Sequence, residues 1–570
     1  MPLVSRTFDQ LIDFTRTSAA TYVDASGRIV PTPASRNLLT FTQEFDNAGW
    51  VKNDTTITAN AATAPDGTLT ADKLVENTAN AEHRAARTET LVAGTYTLSC
   101  YVKAAERGFF VFRENINGSI VDTFFNLNTG VVASTGAGRT SSITSAGNGW
   151  YRCAVTATST GGSATLGFDI SDNGARIVYT GTAGSGLFLW GAQLEANTTA
   201  TDYTRNNGGV YPPRFDYDPV TLAPKGLLVE EQRTNLLTYS EQFEAANWSK
   251  SAATVTANAT TSPDGTVDAD KLAETATTST HYALHFISAV TGTTYAGSIF
   301  VKASERSWCL VELGGAMLNT YAFINLSTGA VGTTSGSPTT VSAQSYGNGW
   351  WRIVITKTAS SSGTGHFAIY PAQADGTASY AGTADSGIFV WGAQLEAGSF
   401  ATSYIPTVAS QVTRTADVAT ITGANFSQWY NQSAGTFVVE GDYVANVNWR
   451  RFMTVDDTAA PANNRIIING DQNQQLLVTT SGVNQASLNA GTSPSANTVT
   501  RIASAYALDN FAAVRDGGTV ATDTSGTVPT VNRLNIGLHP NGGEYLNGHI
   551  RSLRFFPTRL SNTQLQALTA

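Results

Sequence analysis

Charge is scarce in this chain. Asp, Glu, Lys and Arg make up 14% of its 570 residues, against about 25% in an average soluble protein. No basic stripe interrupts the net charge of −9, which argues against binding nucleic acid or inserting at an anionic membrane. Cysteine is nearly absent, with three residues and no C-x-x-C, so no zinc or redox motif is present. No apolar run approaches the ~20 residues of a membrane span. The opening Met1-Pro2-Leu3-Val4-Ser5-Arg6 lacks the apolar core of a secretory signal, so the expected release is by lysis or as part of a particle. H-E-x-x-H, G-x-S-x-G, Walker A and G-x-G-x-x-G are all missing, and the six histidines form no ligand-spaced cluster. The chain is therefore not expected to be an enzyme.

What is abundant is Gly, at 52 residues, with Ser and Thr in nearly every stretch. Hydrophobics at 41% and aromatics at 10% suffice for several cores, so wholesale disorder is excluded. Short strands joined by turns fit this composition. A chain of 570 residues also exceeds a single domain, at roughly 100–200 residues each.

An internal duplication sets the plan. Asn37-Leu38-Leu39-Thr40 returns as Asn235-Leu236-Leu237-Thr238, and Pro65-Asp66-Gly67 as Pro263-Asp264-Gly265. Ala71-Asp72-Lys73-Leu74 returns as Ala269-Asp270-Lys271-Leu272, and Asn148-Gly149-Trp150 as Asn348-Gly349-Trp350. Trp190-Gly191-Ala192-Gln193-Leu194-Glu195 returns as Trp391-Gly392-Ala393-Gln394-Leu395-Glu396. Asn37 to Asn235 is a shift of 198 and Glu195 to Glu396 one of 201, so insertions are few. Tyr96, Leu98, Cys100 and Val102 alternate with polar neighbours, the period-2 pattern of a half-buried strand. Asn128-Thr129-Gly130 and Ser327-Thr328-Gly329 read as twin hairpin turns. Each copy of about 170 residues then suggests a two-sheet jelly roll.

The fold expected is all-β and multi-domain: tandem jelly-roll β-sandwiches at 36–206 and 235–406, then a further β-sandwich at 407–570. That last region closes on Arg559–Leu568, a terminal helix capped by Ser561 or Asn562. Cys100, Cys153 and Cys309 align with Ile299, Ile353 and Phe110 of the other copy, so all three read as buried hydrophobes. A Cys100–Cys153 bridge stays open if their strands are neighbours.

Trp391–Glu396, the following Ala401-Thr402-Ser403-Tyr404-Ile405-Pro406-Thr407, and Gly347-Asn348-Gly349-Trp350-Trp351-Arg352 resemble carbohydrate-binding-type modules of bacteriophage tail-fibre, tailspike and head-spike proteins. Similar spikes occur on phage-derived gene transfer agents. Tyr545-Leu546-Asn547-Gly548-His549-Ile550 through Phe555 is similar to the closing strand of concanavalin A-like (laminin-G-like) domains of phage proteins. Asp13–Gly27 resembles a stretch that in such proteins runs on into Pro213–Pro219 and Lys225–Glu231. The resemblance thus implies a base element made of 1–35 and 207–234, with the first jelly roll inserted between its halves.

The resemblance implies a structural component of a phage or phage-like particle, on the virion surface, that binds host surface polysaccharide for adsorption. It also implies contacts with other virion proteins and a homo-oligomer, commonly a trimer. A depolymerase that cleaves the polysaccharide and a purely structural spacer are the alternatives. Sugars stack C–H faces on aromatic rings and pair their hydroxyls with polar side chains. The candidates for such contacts are Trp50 and its counterpart Trp248, His83 and its counterpart His281, and Trp308. In the last domain they are Trp449, Arg450, His539, Asn541 and Tyr545. Trp150, Trp350, Trp190 and Trp391 lie in apolar strands and read as core. No cofactor is expected; a structural Ca²⁺ would draw on Glu44, Asp72 and Glu195, or on Glu241, Asp270 and Glu396.

Overall fold

A computed structural model of the chain describes residues 11–32, 37–206, 208, 211–444, 450–470, 475–492, 494–539 and 543–570. It is about 54% strand and 3% helix in several separate sheets, an all-β assembly of sandwiches. The chain divides into two compact units, the first holding 1–17, 33–212 and 419–429, the second 18–32, 213–418 and 430–570.

In the first unit the first sequence copy forms a ten-stranded antiparallel sheet. Two strands of 21 and 22 residues, Arg84–Ala104 and Trp150–Ser171, run beside one another from Trp150 opposite Lys103 to Asp169 opposite Arg84. At Gly161 and Gly162 the backbone turns through φ of 94° and 113°, values that glycine adopts without strain. The buried core holds Leu98, Val102, Phe112, Val155 and Phe168. Cys100 lies directly opposite Cys153, so the condition for a bridge is met, yet both thiols are free and buried. Burial pushes both thiols up, and the inert-hydrophobe reading describes them.

In the second unit the second copy makes two separate six-stranded sheets. The counterparts of the long strands are here broken, as Tyr282–Ala289 and Thr294–Ala303 and as Trp350–Thr358 and Gly363–Ala372. Ile299, Val301, Val311, Ile353, Phe367 and Ile369 fill the space between them.

Residues 430–570 form a further sandwich in the same unit. One of its sheets runs through Gly548–Phe556, Ala434–Tyr443, Thr500–Ala507, Phe511–Arg515 and Ala521–Asp523. The terminal helix Asn562–Thr569 is capped by Ser561, whose hydroxyl accepts from the Gln564 N–H, while the Gln564 side chain returns to the Ser561 N–H. Its Leu565 packs on Val438, Ala503 and Val514.

The base element expected at 1–35 and 207–234 does not stand apart. The hairpin of Arg214–Tyr217 and Pro224–Val229 extends this last sheet, with Leu227 opposite Ile550. Residues 18–32 join the same unit, whereas 11–17 belong to the first. Two buried polar locks tie the hairpin down. His549 sits between Asp442 (Nδ1, 2.7 Å) and Asp216 (Nε2, 3.0 Å), and these bonds outweigh burial to raise its pKa. Glu230 meets the guanidinium groups of Arg214 and Arg414 at 2.7 and 2.6 Å, and Asp417 also pairs with Arg214.

Candidate functional site

Strand alternation explains how one sheet of the second module acquires two apolar faces. Along Trp308–Gly315, Cys309, Val311 and Leu313 enter the core between the sheets. Trp308, Leu310 and Glu312 therefore project to the opposite, outer face. There Leu310 lies between Phe323 and Tyr370 on the flanking strands. Leu284, Leu310, Phe323, Tyr370 and Ala372 are buried among themselves, with Tyr282, Trp308 and Tyr321 half-buried at the rim. Phe286, on the same face, is 54% exposed.

Polar groups are set into this apolar surface. The Tyr370 hydroxyl donates to Glu312 at 2.5 Å, and the other Glu312 oxygen lies 3.9 Å from His366 Nε2. Burial lowers the pKa of His366, against the pull of Glu312, which favours the neutral ring. Tyr282 and Tyr370 stand with ring centroids 5.0 Å apart. His366 lies across Gly314, where a Cβ would come within 2.0 Å of its Nε2. The result is a set of aromatic rings around one carboxylate, chemically suited to stacking on sugar C–H faces and accepting from sugar hydroxyls.

The first module keeps the same core and changes this face. By register, Phe109 stands for Trp308, Arg113 for Glu312, Asp122 for Tyr321 and Asp169 for Tyr370. Arg113 Nη1 reaches both oxygens of Asp122 at 2.9 Å, and Arg84 pairs with Glu82 at 3.1 Å. A charged mosaic thus replaces the aromatic surface.

The chain matches no known protein-family model, and no curated protein is similar to it in sequence.

Of the expected sugar contacts, Trp308 alone belongs to the aromatic face. Its ring lies beside Gly332, whose Cβ would sit 2.8 Å from it. Trp50 and Trp248 are corrections: each is 1% exposed, with its indole N–H on a carbonyl, Phe41 or Tyr239, at 2.9 Å. Neither has a free ring face. His83 and His281 are likewise buried rather than at the surface, bridging the Asp54 and Tyr179 carbonyls and the Ala252 and Tyr380 carbonyls. Arg450, His539 and Tyr545 do gather, but as a loop anchor. Arg450 donates to the Tyr545 carbonyl at 2.8 Å, and Arg465 meets His539 Nε2 at 2.9 Å. Trp449 and Asn541 lie outside the described residues. Tyr282, Tyr321, Tyr370 and Glu312 were not anticipated. Their signal was present as positions where the copies differ while their flanking core residues match.

The carboxylates considered for calcium are engaged elsewhere. Asp72 accepts from the Phe45 and Asn60 N–H groups at 2.8 and 2.9 Å, and Asp270 repeats this with Phe243 and Asn258. Glu195 and Glu396 accept from Thr201 and Thr402. Glu241 accepts from the Tyr404 hydroxyl, and Glu44 faces Arg205 at 3.8 Å. Among the described residues no three potential ligands converge on one point.

These acids predict a pH dependence. Burial outweighs the N–H donors and pushes Asp72 and Asp270 up to about 7 from 3.8; burial likewise raises Glu241 to about 7. Folding therefore favours their protonated forms, and the stability they contribute at low pH is lost as pH rises through 7. Glu76 and Glu274, held low by Arg107 and Arg306 against burial, act in the opposite sense at more acid pH. The melting temperature is expected to fall between about pH 5.5 and about pH 8, and the double variant Asp72→Asn/Asp270→Asn to flatten that slope.

Proposed function

We propose that the chain is a structural component of a phage or phage-like particle, a fibre or spike, that binds host surface polysaccharide for adsorption. The observation that carries the binding part is the outer sheet face of the second module, where Tyr370 and Tyr321 flank Glu312, Tyr282 stands beside Tyr370, and Trp308 lies further along the strand that carries Glu312. The particle part is supported by the resemblance of the Trp391–Thr407 and Tyr545–Phe555 segments to phage proteins. The half-buried rings of Tyr282, Trp308 and Tyr321 and the exposed Phe286 form an apolar, aromatic rim of the kind that marks recognition surfaces. Single lectin contacts are weak, and copies tethered in a homo-oligomer on a virion would raise the effective concentration.

The test is size exclusion with light scattering on the full chain mixed with host capsular polysaccharide. Co-elution with polymer of unchanged mass is the expected result. Independent elution overturns the binding reading, and a fall in polymer mass overturns the non-enzymatic one.

A further inference from the structure

A second surface, built on the strand Thr140–Gly147 and its counterpart Thr340–Ser345, recurs in both modules. It is a groove of about 570 Å³ in the first module and 550 Å³ in the second, within the ~300–1,000 Å³ of small-ligand sites. Its floor is one strand, Thr140–Gly147 or Thr340–Ser345. Alternation sends Ile143, or Val341 and Ala343, toward the core and leaves the intervening side chains on the groove side. These are Thr140, Ser142 and Thr144 in the first copy, and Thr340, Ser342 and Gln344 in the second. Among the described residues Thr340 alone of these six makes a side-chain hydrogen bond, with the Thr356 hydroxyl at 2.7 Å.

Beside this ladder stands an arginine in the same environment twice. Arg152 lies opposite Thr144 and Arg352 opposite Gln344. Each lies over an aromatic ring, Tyr101 at 5.3 Å or Phe300 at 5.4 Å. Each donates from Nη2 to a serine, Ser99 or Ser298, at 3.1 Å, and Arg352 Nη2 also donates to the Thr402 carbonyl at 2.6 Å.

The charge around the groove points one way. In the first module Arg152 is the only charged group among the described lining residues. In the second, Glu230 is consumed by Arg214 and Arg414, and Asp216 by His549 and the Val23 N–H. Arg352 and the Lys225 ammonium, which has no ion pair among the described residues, are left. A chain of net charge −9 thus presents at both grooves cations without a carboxylate partner among the described residues, beside hydroxyl and amide groups; large apolar side chains are few in the first groove, whereas Val23, Ile29, Leu228, Phe300 and Phe400 also line the second.

We propose that each groove binds an acidic saccharide, its carboxylate on Arg152 or Arg352 and its hydroxyls on the Thr/Ser ladder. Guanidinium and carboxylate match in charge and geometry, and the polar ladder suits a sugar better than an apolar peptide. This site is separate from the aromatic face and does not depend on it.

Calorimetric titration of the full chain with trigalacturonate, and with uncharged maltotriose as control, tests the proposal. Two sites per chain are expected for trigalacturonate and none for maltotriose. Ser142→Trp, which fills the first groove from an exposed strand position, leaves one site, and Ser142→Trp/Ser342→Trp leaves none. Arg152→Lys keeps the charge but lacks the planar guanidinium fork that matches a carboxylate, and weakens the first site by about tenfold or more. If the tryptophan variants melt early, the lysine variant decides alone. No binding of trigalacturonate, equal binding of maltotriose, or affinity and stoichiometry unmoved by these variants overturns the proposal. Host-polysaccharide co-elution reads the aromatic face separately, so either idea fails without the other.

Discussion

Glu230→Ala is expected to destabilise the second unit by about 3–5 kcal/mol, the cost of breaking a buried ion pair by removing one partner. Arg214 and Arg414 are each 0% exposed, and Glu230 touches both at 2.6–2.7 Å. The carboxylate also accepts from the Ser403 N–H and hydroxyl at 2.8 and 2.7 Å. Burial alone would raise its pKa, but Arg414 and Arg214 hold it well below the ordinary range. Its removal leaves two guanidinium groups in the interior with one acid, Asp417, between them. Chemical denaturation of the second unit reads the loss. Replacing Arg214, Glu230, Arg414 and Asp417 together by apolar residues of similar volume should cost far less, because no bare charge remains. A single variant as stable as the parent would contradict the account of this network.

Trp50→Ala and Trp248→Ala are each expected to cost about 3–5 kcal/mol. The two residues hold equivalent places in separate units, Trp50 against Phe45 at 4.6 Å and Trp248 against Phe243 at 4.5 Å between ring centroids. Trp50→Ala should lower the unfolding transition of the first unit and Trp248→Ala that of the second, by similar amounts. A sugar-stacking tryptophan at the surface would leave both transitions unmoved. Differential scanning calorimetry distinguishes the two.

The duplication made the modules legible, because repeated turn and strand motifs follow the chain itself. Core tryptophans such as Trp150 and Trp391 were legible for the same reason: their neighbours alternate. Trp50 was not. Its neighbours Asn47, Gly49, Lys52 and Asn53 look like a surface loop, and its burial depends on a loop turn, with Trp50 N–H on the Asn47 carbonyl at 3.0 Å. His83 was illegible because its two carbonyl partners, Asp54 and Tyr179, lie 29 and 96 residues away in the sequence. The outer aromatic face escaped notice for a different reason. Alternation shows which side chains share a face, but Leu310, Phe323 and Tyr370 resemble core as closely as Val311 and Ile324 do. Which face is inner is decided by the second sheet.

The central claim is that the aromatic face of the second module holds the host glycan. The direct measurement is the affinity of the full chain and of Trp308→Ala/Tyr321→Ala for host capsular polysaccharide, with cooperative unfolding of the second unit checked in parallel. Truncating aromatic anchors at a binding centre costs about 2 kcal/mol or more, so affinity should fall roughly thirtyfold while the fold survives. Undiminished binding by the folded double variant would contradict the claim.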